Sequence, residues 1–351
     1  MSYFHENESE PNDHDGLREG SIIWATPVCV TRDRQGRIFV LDSRFDDVTQ
    51  LRYNGENPKT PAVFGMIKHN GKSIVRQLVY GPGKKHLARP SGVAVDTSGN
   101  FIVTDPENKR IVVFDDQGVF VRAFGNETYL LMLEITKTGI VPPHVKSLEI
   151  TDVMEPYSVD VSKMDEIVVT DVQNNAIVVF DTNGNRLRRV ELEGVLKLDQ
   201  KSGVALDSQD NILVTDVDNC RVVKLSYYGV FIETYGHRGS NSGQLMSPSG
   251  VAVDRRDNII VADTGNSRIV VFDKDRKGLD GISCEIGQGI LKSPIGVSVD
   301  SSGRVIVSDT TYCTVVALDH MYNFDSRARL FDSTPQFQSE RMHHPQPRFL
   351  R

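Results

Sequence analysis

Apolar positions along this chain fall into short runs separated by turn residues, and the runs recur in a fixed order. In Pro248-Ser249-Gly250-Val251-Ala252-Val253-Asp254 the valines alternate with smaller residues, as on a strand packed on one face. Asn258-Ile259-Ile260-Val261-Ala262-Asp263 and Asn266-Ser267-Arg268-Ile269-Val270-Val271-Phe272 follow, both rich in β-branched residues and nearly continuous in their apolar character. Pro90 to Phe114 nearly duplicates this order, and further copies start at Pro27, Pro156, Lys201 and Pro294. In every copy an aspartate closes the second run 15 positions on: Asp42, Asp105, Asp171, Asp216, Asp263 and Asp309. These are 63, 66, 45, 47 and 46 residues apart, so the natural period is near 46 and the first two intervals carry insertions.

A fourth run follows in Val119 to Phe124 and in Val230 to Tyr235, each closed by a glycine. Turn clusters such as Asp96-Thr97-Ser98-Gly99-Asn100 and Asp181-Thr182-Asn183-Gly184 separate the runs, and no segment sustains a helical period. Each unit therefore reads as a four-stranded antiparallel sheet too small to bury both of its faces alone. Radial stacking buries those faces and leaves only short edges. The predicted fold is all-β: a six-bladed β-propeller of four-stranded antiparallel blades.

These residues resemble the NHL repeat. Pro-x-Gly-Val-x-Val-Asp with Asn-x-Arg-Ile-x-Val-Phe is met almost fully in the second and fifth copies, while the first and last are degenerate. The resemblance covers about Pro27 to Asp319. It implies a binding platform like the C-terminal propellers of tripartite-motif proteins, whose relatives carry RING, B-box and coiled-coil segments and act as ubiquitin ligases or translational regulators. Cys29, Cys220, Cys284 and Cys313 are too scattered to build a RING, so ligase activity is expected to require another polypeptide or a longer product.

Residues 21–332 are expected to form the propeller, with insertions near 56–88 and 126–154, between an acidic disordered tail at 1–20 and a disordered tail at 333–351. Ser21 to Ala25 is expected to supply the outermost strand of the last blade; Phe324 to Phe331 is the alternative. Within the second insertion, Tyr129-Leu130-Leu131-Met132-Leu133 is unusually apolar for a loop and is expected to pack on the rim or to offer a partner groove.

Charge then limits the partners. The net charge is −7, with six acids and one arginine in residues 1–20 and three arginines and one glutamate in 333–351. Such a body does not attract double-stranded DNA in bulk, although a local basic patch remains compatible with it. No run is long and apolar enough for a membrane span, and the N-terminus is unlike a signal peptide. A cytoplasmic, monomeric propeller with reduced thiols is expected.

The loop after the repeated aspartate lies, in NHL propellers, on the binding face. Three positions on come Phe45, Asn108, Asn174, Asn219, Asn266 and Tyr312; five positions on come Asp47, Arg110, Ala176, Arg221, Arg268 and Thr314. The aspartates read as structural loop caps, with an arginine close enough to pair. Departures from the column and their neighbours on connecting loops are the candidate ligand contacts: Arg44, Phe45, Arg89, Lys109, Arg110, Tyr157, Lys201, Arg221, Arg268, Lys292 and Tyr312. Cations interleaved with aromatic rings suit single-stranded RNA, and a protein partner is equally open at this point.

Some propellers of this size are metal-dependent enzymes, such as the amidating lyase and the calcium-dependent lactonases, and that is the alternative reading. The nine histidines never recur at one repeat position, and no GxSxG, HExxH, Walker A or GxGxxG pattern is present. No catalytic residue, metal site or cofactor is therefore assigned, and the expectation is a non-enzyme.

Overall fold

A computed structural model of the chain describes residues 26–43, 47–51, 68–69, 72–73, 87–125, 153–274, 282–287 and 289–318. The first sheet comprises β1 (Pro27–Arg32), β2 (Ile38–Asp42) and β3 (Asp47–Leu51), and a small hairpin of β4 (Lys68–His69) and β5 (Lys72–Ser73) follows. The next sheet is β6 (Gly92–Val95), β7 (Phe101–Asp105), β8 (Arg110–Phe114) and β9 (Phe120–Phe124). Then come β10 (Pro156–Val161), β11 (Ile167–Asp171), β12 (Ala176–Phe180) and β13 (Arg186–Glu191). Two more sheets contain β14 (Val204–Leu206), β15 (Ile212–Asp216), β16 (Arg221–Leu225) and β17 (Phe231–Tyr235), then β18 (Pro248–Val253), β19 (Ile259–Asp263), β20 (Arg268–Phe272) and β21 (Ile282–Ile286). The last sheet is β22 (Pro294–Val299), β23 (Val305–Asp309) and β24 (Thr314–Leu318).

The expectation of six blades with four strands each is corrected by this topology. Only four sheets have four strands; β1–β3 and β22–β24 have three each among the described residues. A fourth strand for these terminal sheets would have to come from residues 1–25, from the first insertion or from residues beyond 318. Residues 1–25, all of the first insertion but 68–69, 72–73 and 87–88, and residues beyond 318 lie outside the described residues, as do both expected closing segments and, in the second insertion, the apolar stretch 129–133.

Inner strands β1, β6, β10, β14, β18 and β22 neighbour one another in that order, and β22 returns to β1 to close the circle. Apolar seams between successive sheets form the core. Phe39, Phe101 and Phe114 fill the seam between the β1 and β6 sheets, and Phe124 and Phe180 fill the next. Among the described residues the closing seam is smaller: its buried members are Val30, Ile38, Val40, Ile306, Val315 and Ala317, and none is aromatic.

The repeated glycine of the inner strand follows from this close approach. A Cβ at Gly250 would lie 2.2 Å from the carbonyl oxygen of Ile295 on β22. Where the glycine is replaced, the new side chain bonds to the neighbouring strand: the Ser158 hydroxyl accepts the Val204 N–H at 3.1 Å, and the Cys29 thiol donates to the Val93 carbonyl at 3.8 Å. Cys29, Cys220 and Cys313 are free thiols. No helix among the described residues is long and apolar enough to cross a membrane.

Candidate functional site

Each repeated aspartate ends the second strand of its sheet and is buried, with 0 or 1% of its surface exposed. Its carboxylate ties together the two loops of one face. Asp105 accepts the Ala88 N–H at 2.8 Å, the Asn108 side-chain amide at 2.9 Å and Arg110 Nε at 2.7 Å. Asp263 accepts Met246 N–H at 2.6 Å, Asn266 Nδ2 at 2.8 Å and Arg268 Nε at 2.8 Å. Asp216 holds Asn219 and Arg221 in the same way. Asp42, Asp171 and Asp309 accept backbone N–H groups from the segment that leads into their own inner strand. A buried carboxylate needs such a set of donors to remain charged.

The arginines of the column are bound inward. Arg268, 4% exposed, also donates to the carbonyls of Ser240, Asn241 and Gln244 at 3.2, 3.0 and 2.8 Å. Arg221 reaches the Val195 carbonyl at 2.8 Å. Arg110, Arg221 and Arg268 thus each pair with the aspartate of their own loop and brace the connections around it.

Four other predicted residues converge instead. Arg89, Lys109, Tyr157 and Lys201 line one mouth on this face, a cavity of about 440 Å³ over the β6, β10 and β14 sheets. Its wall also includes Pro90, Pro106, Met154, Gln173 and Gln200, together with Glu107 and Glu155. Arg89 is exposed and 3.5 Å from Glu107, while Glu155 accepts the Gln200 side-chain amide at 2.6 Å. Among the described residues, no hydrogen bond or ion pair engages the ammonium of Lys109 or Lys201. Three cations face two acids here, so the mouth is locally positive by one on a negative molecule.

Local backbone geometry explains how Lys109 is presented. The fourth position after the repeated aspartate is left-handed in this loop: Lys109, Asn175, Cys220, Ser267 and Cys313 have φ of 55°, 48°, 54°, 55° and 51°. Asparagine adopts this conformation readily, whereas lysine there is uncommon. Tyr157 sits deeper, and burial pushes its phenol up to about 12, with nearby Asp199 adding to the shift, so the ring remains a neutral surface at neutral pH. Val28, Ser91, Tyr157, Lys201 and Ile295 line both this mouth and the axial channel below it.

Lys292 and Tyr312 lie on loops of the β22 sheet and do not line the mouth; Tyr312 is 56% exposed. Arg44 and Phe45 lie outside the described residues. Gln173 and Gln200 escaped the sequence reading because an uncharged amide has no contrast against ordinary loop composition.

Comparison with known proteins agrees with the repeat pattern. The NHL repeat matches residues 87–114, 202–225 and 245–272, so the chain carries NHL repeats. It is similar to the tripartite-motif-type Protein brain tumor of Drosophila melanogaster, 28% identical over 135 residues, 31% of this chain and 13% of that protein. It is also similar to peptidyl-glycine alpha-amidating monooxygenase A of Xenopus laevis, 32% identical over 111 residues, 31% of this chain and 11% of that protein. The chain thus spans 11 to 13% of these relatives. Among solved structures, a streptogramin B lyase aligns with a TM-score of 0.53 at 13% identity, covering 84% of this chain and 93% of that one. A gluconolactonase from Xanthomonas campestris aligns at 0.53 and 14% identity, covering 82% and 84%. At such identity these two show the fold alone.

Proposed function

We propose that this chain is a recognition platform whose loop face binds an extended anionic ligand, either single-stranded RNA or an acidic stretch of a protein partner. One observation carries the reading: Arg89, Lys109 and Lys201 converge with Tyr157 on a single mouth, while the arginines of the neighbouring loops are bound to their own aspartates. Cations beside an aromatic ring are what a single strand requires, because phosphates take the charge and an unstacked base takes the ring. A ubiquitin-ligase or post-transcriptional role would place the platform in the part that selects the target.

The relatives' names keep an enzymatic reading in view, since one is an amidating monooxygenase. Metal-assisted chemistry requires converging ligands. Among the described residues no group of three or more His, Cys, Asp or Glu is placed to hold a metal.

Crosslinking in cells, with RNA and protein identified in parallel, tests the platform reading. Recovery of RNA or an acidic segment crosslinked to the peptides containing Lys109 or Lys201 supports it. Crosslinks confined to the far face of the ring would send the search elsewhere.

A further inference from the structure

The ring axis holds a second feature that the loop-face reading does not use. Inner strands from every sheet of the circle line a channel of about 270 Å³. In three repeats the fifth and sixth positions of the inner strand are small or aliphatic: Ala94-Val95, Ala205-Leu206 and Ala252-Val253. Three strands depart: β1 has Thr31-Arg32, β10 has Asp160 and β22 has Ser298. All four polar side chains line the channel.

Arg32 and Asp160 are electrostatically coupled, yet the two do not form an ion pair. Among the described residues the Arg32 guanidinium has no hydrogen-bonding partner, and neither do the hydroxyls of Thr31 and Ser298. The Asp160 carboxylate accepts N–H groups from Val161 and Leu206, each at 2.8 Å. Two opposite charges thus face one narrow space without closing on each other.

Desolvation acts on both charges. Burial lowers the Arg32 pKa, with the like charge of Arg255 adding to the effect and Asp160, Asp300 and Asp254 opposing it. Burial pushes Asp160 up to about 6 against its two backbone donors. Charges held at that cost are compensated best by a ligand that presents the opposite sign to each.

We propose that the axial channel binds a small zwitterion, its carboxylate taken by Arg32 and its ammonium by Asp160, with the Thr31 and Ser298 hydroxyls completing the polar wall. The volume falls just under the range of about 300 to 1,000 Å³ that holds drug-sized ligands, which selects a molecule of amino-acid size. The channel shares Val28, Ser91, Tyr157, Lys201 and Ile295 with the loop-face mouth, which places it directly beneath that opening.

Calorimetric titration of the whole chain with glycine, β-alanine and 4-aminobutyrate tests this, using acetate and methylammonium as single-charge controls. At least one zwitterion is expected to bind with a Kd of about 1 mM or tighter, and each control at least about tenfold more weakly. Arg32→Gln and Asp160→Asn should each weaken the zwitterion by at least about tenfold.

A second measurement needs no variant. Affinity should fall as pH drops through about 6 and Asp160 gains its proton. The other groups to account for are Cys29, Asp207 and Asp210 near Asp160, and Arg255, Asp254 and Asp300 near Arg32. No zwitterion binding, equal binding of acetate, or a pH-independent affinity would each contradict the proposal.

Discussion

Arg268 and Lys201 are both cations on the same face of one ring, and the fold uses them in opposite ways. Arg268 is buried, paired at 2.8 Å with Asp263 and bound to three loop carbonyls. Lys201 is exposed at the mouth, and no hydrogen bond or ion pair among the described residues engages its ammonium. Arginine's planar fork can satisfy a carboxylate and several carbonyls at once, whereas lysine's compact charge stays hydrated on a flexible stem. A count of charges along the loops therefore says little about binding until the paired cations are set aside.

The largest effect that would sharpen this contrast is on stability. Arg268→Ala leaves Asp263 buried without its cation and is expected to cost about 3 to 5 kcal/mol in urea unfolding. A loss under about 1 kcal/mol would break the distinction, since it is what an exposed pair gives. Arg221→Ala should cost less, about 1.5 to 3 kcal/mol for hydrogen bonds to a charged group, because its side chain is 31% exposed. The same denaturation series reads both.

A pH comparison comes next. Asp160 has a folded pKa raised to about 6, so the protonated form is favoured in the fold. Its contribution to stability is present below the unfolded value of about 3.9 and is lost as pH rises through about 6. Wild type minus Asp160→Asn should show this fall in melting experiments from pH 4 to 7, and a flat difference would remove the desolvated charge from the account. The smallest stability effect belongs to Lys109→Ala and Lys201→Ala, each expected within about 0.5 kcal/mol of wild type.

Much of the ring was legible in the sequence because the repeat imposes a register. Every aspartate spaced 15 residues from its copy's start ends the second strand of a sheet, and Asn108, Asn174, Asn219 and Asn266 bond back to it. The terminal sheets were less legible. Their copies are degenerate, and among the described residues each has three strands where the repeat predicts four.

One inter-sheet device was visible but overlooked. In the first turn of three copies an aspartate stands where the others have glycine, at Asp165, Asp210 and Asp257, with φ of 63°, 59° and 66°. Asp165 and Asp257 accept N–H groups from Thr97 and Ser208 of the preceding sheet at 2.9 and 2.8 Å, and Asp210 accepts that of Lys163 at 3.4 Å. The left-handed backbone costs energy at each, which the contact between neighbouring sheets offsets. Arg32 and Asp160 could have been found in the same way, by reading the inner-strand column for charges among alanines and valines.

Salt-dependent binding of a labelled single-stranded RNA pool to wild type and to the Lys109→Ala/Lys201→Ala double variant tests the central claim most directly. If the mouth lysines neutralise phosphates, the variant binds more weakly and its slope of log affinity against log salt is shallower by about 1.4, near 0.7 per contact. Equal affinity and equal slope in the two proteins, with wild-type stability retained, would contradict the assignment of the loop-face mouth as the binding site for RNA.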